Sequence, residues 1–155
     1  MKRVTDLLTA LVFISLIVFI SCKKGDDGPS GPTPEEEQAE LFSGTWPLES
    51  ATLGTTNRTE WTESNFSLTV EGNEDGGTIT ANNVPNIDGA SDVWPSPSDW
   101  SFGSSITQIN READGIVMNI TLTESTLIVK FNISGSGSRV SGFDGDWTFT
   151  FTQPQ

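Results

Sequence analysis

Carboxylates and side-chain amides are the reactive groups this sequence has in quantity. It carries 21 Asp and Glu against 8 Lys and Arg, a formal charge of -13, with no His and no Tyr. The missing His removes Ser-His-Asp and Cys-His catalysis and His-ligated metals, and the missing Tyr removes a phenolic general acid. A single Cys, Cys22, excludes an intramolecular disulfide and Cys-type zinc sites. A pair of carboxylates roughly 5–10 Å apart across a cleft could still cleave a glycosidic bond, but no two acids stand out by their spacing. Residues 71–76 and 110–115, and the pair Asp88 and Asp92, have the flavour of calcium loops. None carries the terminal Glu or the flanking helices of an EF-hand, and Asx-Gly turns between strands give the same letters. The expectation is therefore no metal, no cofactor and no enzymatic activity. Residues 34–155 hold 18 acids and 4 bases, a net of -14. Such an excess suits a solvated surface and argues against a nucleic-acid partner.

The aromatic residues offer binding rather than catalysis. Residues 82–98 form a 17-residue connection carrying Val84, Ile87, Val93 and Trp94 among Asn, Asp, Ser and Pro. Connections of that length are often lids or binding loops, and an aromatic there can stack on a ligand or a sugar ring. The competing expectation is that Trp94 plugs the core, since large apolar side chains are usually buried. Trp61 lies between Glu60 and Glu63 in the 55–64 connection, which places it at a rim. Trp46, Trp100 and Trp147 fall within strand patterns and belong to the core.

The elements that position these residues begin after an N-terminal address. Lys2 and Arg3 precede an apolar run over residues 7–20, shorter than the roughly 20 residues of a membrane span and of the length of a signal-peptide core. It ends in Ser21-Cys22. A small residue before a Cys at that place resembles the bacterial lipobox, which implies cleavage before Cys22 and lipidation of its thiol. Residues 1–21 then read as signal peptide and 22–33 as the lipidated Cys with a disordered Gly-, Pro- and Asp-rich tether. Lys23 after Cys22 is not the Asp associated with inner-membrane retention, so the expected location is the outer membrane. The run Lys23-Lys24-Gly25-Asp26-Asp27 resembles the export signals of surface-exposed lipoproteins, with the periplasmic face as the alternative.

Residues 34–155 read as one domain, about 120 residues being enough for one hydrophobic core. Thr33, Pro34 and Glu36 form a capping-box start for a helix over 34–42, with Gly44 as its stop. From Thr45 onward the period is two. Apolar residues alternate with mostly polar ones over 66–70, 116–122, 127–133 and 147–151, and shorter strands fit 46–53, 78–81, 100–102 and 106–111. Ile106 and Ile109 are out of phase, which predicts a bulge or a late start. Eight strands with short connections predict an all-β fold, an antiparallel up-and-down meander barrel, with a β-sandwich as the alternative.

Gly44-Thr45-Trp46 after a short helix, Val93-Trp94-Pro95 with Asp99-Trp100-Ser101-Phe102, and Gly142 with Gly145-Asp146-Trp147-Thr148-Phe149 together resemble lipocalin-like domains of small bacterial lipoproteins. The resemblance covers most of residues 41–155. It implies a cup-shaped barrel of a kind that often binds a small, mainly apolar molecule. The expectation for this chain is a barrel that binds a small apolar or amphipathic ligand at one end, with Trp94 and Trp61 supplying contact surface and Phe66, Phe102, Met118 and Phe131 lining the interior. Pro47 departs from the pattern, because it lacks a strand donor and predicts an incompletely closed barrel. The alternative is a filled barrel, a non-enzymatic module that presents its surface to a protein or glycan, since about twenty large inward side chains can fill eight strands.

Overall fold

The computed structural model describes residues 31–134 and 142–153. The signal-peptide reading, Cys22 and most of the tether lie outside the described residues. Among those described, no helix is long and apolar enough to cross a membrane.

The first helix, α1, spans Pro34–Phe42 and is built by the signals its sequence carries. Thr33 Oγ1 accepts from the Glu36 N–H at 3.2 Å, and Glu36 Oε2 accepts from the Thr33 N–H at 2.6 Å. That reciprocal pair satisfies two amides at the helix start, and Glu35, Glu36 and Glu37 sit at the positive end of the helix dipole. The helix stops at Ser43, one residue before the expected Gly44, which instead opens the first strand with φ near 129°. Ala39 and Phe42 are the buried face.

The remaining chain is a closed antiparallel barrel. Its strands are β1 (Gly44–Leu53), β3 (Ser67–Asn73), β4 (Gly76–Asn82), β5 (Ser98–Phe102), β6 (Gln108–Arg111), β7 (Ile116–Leu122), β8 (Thr126–Ile133) and β9 (Gly145–Thr152). A two-residue strand, β2 (Thr56–Asn57), folds back on β1 as a hairpin. Each barrel strand pairs with the next in sequence, and β1 pairs with β9 to close the circle. Closure removes the sheet edges and leaves one face of every strand for the core. Leu68, Val70, Met118, Ile120, Leu127, Val129, Phe131, Ile133, Trp147, Phe149 and Phe151 all point inward, as their period-two spacing predicts.

Pro47 does not open the barrel. Gly44 to Pro47 pair with β3, and the ladder to β9 begins only at Leu48. Pro47 therefore sits just before the β9 ladder needs a donor. A register shift between Leu48 and Ser50 then moves the strand by one residue. That shift lets Trp46 and Ala51, five positions apart, both face the core. The late start predicted for residues 106–111 is also seen: β6 begins at Gln108, and Ile106 lies in the turn before it.

The two ends of the barrel carry different caps. At one end α1 leads into β1, and the strand connections are tight turns. Trp100 lies over the β3–β4 hairpin there, where a Cβ on Gly72 would stand 2.8 Å from its ring and one on Gly77 would strike the Glu71 carbonyl. The bare backbone of Gly72 lets the indole settle, and that of Gly77 lets the two hairpin strands approach. The other end is covered by α2 (Thr59–Glu63) and by the long 82–98 connection, which contains the single turn of helix α3 (Ala90–Val93).

Candidate functional site

Four of the six residues expected at the cup meet in one aromatic cluster. Trp61 packs edge-on against Phe66 with ring centroids 4.9 Å apart, Phe66 lies 5.9 Å from Trp94, and Trp94 stands edge-on to Phe131 at 5.3 Å. Phe149 joins Trp61, Trp94 and Phe131 at 5.2, 5.4 and 5.8 Å. Offset and edge-on ring pairs each contribute about 0.5–1.5 kcal/mol beyond burial itself, so the cluster is a stable core. Met118 is buried on β7 within the same hydrophobic core. Phe102 is only half-buried and packs edge-on against Trp100 at 5.3 Å, toward the α1 end.

Trp61 is not at a rim. Its side chain is 0 % exposed. The segment around it is helical rather than extended, so Glu63 turns to solvent while the indole turns inward. Trp94 is 1 % exposed and fills the end of the barrel as a plug. The plug is pinned at its far side by Ser96, whose Oγ accepts from the Ala81 N–H at 2.9 Å and donates to the Ala81 carbonyl at 3.2 Å.

Sequence reasoning missed the group that holds the plug. Arg111 is 0 % exposed, on the inward face of β6 two residues after Ile109. Its Nε and Nη2 donate to the two carboxylate oxygens of Asp114 at 3.0 and 2.8 Å, and its Nη1 donates to the Val93 carbonyl at 2.9 Å. The guanidinium also lies 5.2 Å from the Trp94 ring and 5.0 Å from the Phe131 ring. A planar fork suits this arrangement, because it binds a carboxylate with two parallel bonds and stacks on aromatic faces. The signal was present in the period-two pattern, which places 109 and 111 on one face. Asp114, one of the calcium-loop candidates, is thus the partner of Arg111, and Asn73 Oδ1 caps its own turn by accepting from the Asp75 N–H at 3.0 Å.

Indole N–H groups divide into two sets. Trp46, Trp100 and Trp147 donate to the carbonyls of Phe42, Glu71 and Phe143 at 2.9, 3.2 and 2.9 Å. The buried Nε1 atoms of Trp61 and Trp94 have no acceptor among the described residues.

A second site lies outside the barrel. The β7–β8 ladder runs only from Asn119↔Lys130 to Leu122↔Leu127. Beyond it, Ile116 to Met118 pair with β6, and Phe131 to Ile133 pair with β9. The two strands part there, and an open groove of about 330 Å³ follows the seam. Val117, Asn119, Lys130, Asn132, Asp146 and Thr148 line it. Asn132 Nδ2 donates to Asp146 Oδ1 at 2.7 Å, and Gln108 Nε2 donates to Asn119 Oδ1 at 3.4 Å. No sequence signal marks this place, because strand divergence depends on register rather than on residue type.

Compared with protein families, curated proteins and solved structures, the chain finds no match. Its likeness to lipocalin-like domains rests on its residues and on the closed eight-stranded meander.

Proposed function

We propose that this chain is a lipid-anchored, non-enzymatic interaction module of the outer-membrane surface, a filled lipocalin-like barrel that meets its partner through its outer face. One observation supports this reading above the others: Trp61, Phe66, Trp94, Phe131 and Phe149 occupy the interior and touch one another. The address is supported by the sequence alone, by the apolar run over residues 7–20 ending at Cys22 and by the charged, Gly-rich tether. More than one acyl chain on Cys22, at about 0.8 kcal/mol per buried methylene, gives durable anchoring.

Native mass spectrometry of the mature protein, released gently from its own host's envelope, tests the filled interior. The expected mass is that of the acylated chain without an apolar passenger. Labelling with an alkyne-tagged fatty acid should be lost in Cys22→Ser, and protease added to intact cells should reach the domain if it faces outward.

A second reading, a cup for a small apolar or amphipathic ligand, has the unpartnered indoles in its favour. Buried N–H groups normally find acceptors, and a ligand oxygen taken up after withdrawal of Trp94 would supply one to Trp61. An apolar mass that dissociates on denaturation, and that is absent from Met118→Trp, would establish this reading instead.

A further inference from the structure

We infer that the groove at the β7–β8 seam is a binding site for an uncharged saccharide; this deepens the reading of the domain as an interaction module and names the chemistry of its partner. Lys130 is the one Lys between residues 34 and 155. Among the described bases, Arg58 is engaged by Glu60 and by the rings of Phe143 and Trp147, and Arg111 is buried with Asp114. Lys130 alone among them has no ion pair, and it shares the groove with Asp146. One ammonium and one carboxylate cancel, so the groove has no net preference for an ion. An anionic ligand would also meet the repulsion of the acidic domain around it.

Hydrogen-bond capacity then selects among neutral ligands. Asp146 Oδ1 is taken by Asn132, which leaves Asp146 Oδ2 and Asn132 Oδ1 as acceptors. Asn119 Oδ1 is taken by Gln108, which leaves Asn119 Nδ2 as a donor beside the Lys130 ammonium. Thr148 Oγ1 can do either. Donors and acceptors therefore alternate over a small area, as vicinal hydroxyls do on a sugar ring. The two cross-strand bonds hold the amide and carboxylate groups before any ligand arrives, which lowers the ordering cost of binding. Val117, 45 % exposed, adds an apolar patch for the C–H face of a ring. A volume of about 330 Å³ is at the small end of the roughly 300–1,000 Å³ range of ligand clefts, which suits one or two sugar units.

The test is a glycan array probed with the full mature chain in detergent. It should carry neutral hexose and N-acetylhexosamine oligomers, uronate polymers and sulfated oligomers. Binding is expected on neutral oligomers only, with at least a tenfold loss in Asp146→Asn and in Lys130→Ala. Thr80→Val, on the outer face of β4 away from the seam, should bind as the parent does. Absence of binding to neutral oligomers, preference for anionic ones, or binding untouched by both groove variants would overturn the inference. Each of those results leaves the filled-barrel reading standing. Conversely, an apolar passenger in the native mass would overturn that reading without touching the array result.

Discussion

The two ends of the barrel are both sealed by aromatic side chains, yet they are held in different ways. At the α1 end, Trp46 and Trp100 anchor their N–H groups on main-chain carbonyls of neighbouring elements, and Phe42 stands edge-on to Trp100 at 5.2 Å. At the loop end, Trp61 and Trp94 are buried with no acceptor for their N–H groups among the described residues, and a buried guanidinium fixes the plug through Val93 and Asp114. The first end is part of the scaffold. The second is held by Ser96 and by Arg111, and Arg111 is the place where the interior could be unsealed.

Substitutions that break this contrast should differ in size. Trp94→Ala should have the largest effect, about 4 kcal/mol of lost stability in a denaturant titration, because it removes a fully buried ring from four partners. It should also create uptake of a polarity-sensitive dye that the parent lacks. Arg111→Met should cost about 3 kcal/mol, since it takes the guanidinium from the Val93 carbonyl and from the Asp114 carboxylate, to which the Ile116 N–H still donates at 3.2 Å. Arg111→Lys should not restore the loss, because an ammonium cannot bind both carboxylate oxygens and the carbonyl in one plane. A finer test sets Trp→Phe changes at the two ends against each other. Trp46→Phe strands the Phe42 carbonyl, whereas Trp61→Phe removes an N–H that has no acceptor among the described residues. The first should be more costly by about 1–2 kcal/mol, and equal losses would show that the Trp61 N–H has an acceptor after all. The smallest expected effect lies at the helix cap, where Thr33→Ala should cost about 1 kcal/mol, seen as a modest drop in Tm with dye uptake unchanged.

Much of the scaffold could be read in advance, for a reason visible in single residues. Thr33, Pro34 and Glu36 are local signals, and the helix they define needs no tertiary context. The alternation of Leu127, Val129, Phe131 and Ile133 fixes which face of β8 is wet wherever the strand pairs. Pro47 misled because its effect depends on where the β9 ladder begins, which is a matter of shear between distant strands. Trp61 misled because a five-residue helix, too short to show periodicity, reverses the in-and-out sense of its neighbours.

The site was less legible than the fold. Four of the six cup residues do converge, but whether they line a cavity or fill one depends on how far Trp94 and Trp61 reach across the barrel. That distance is set by the packing of two connections and is not written in either one. Arg111 could have been found from its phase with Ile109. The seam could not, because the parting of β7 and β8 follows from the register of each strand with its other neighbour.

The central claim is that the interior is filled and closed by a latched plug. The most direct test records the indole N–H resonances of Trp61 and Trp94 by NMR while a long-chain fatty acid, and separately a polarity-sensitive dye, is added to the full mature chain. A filled, latched barrel keeps two protected resonances that shift in neither titration. Saturable shifts of both resonances, abolished in Met118→Trp, would contradict it and make the barrel a cup.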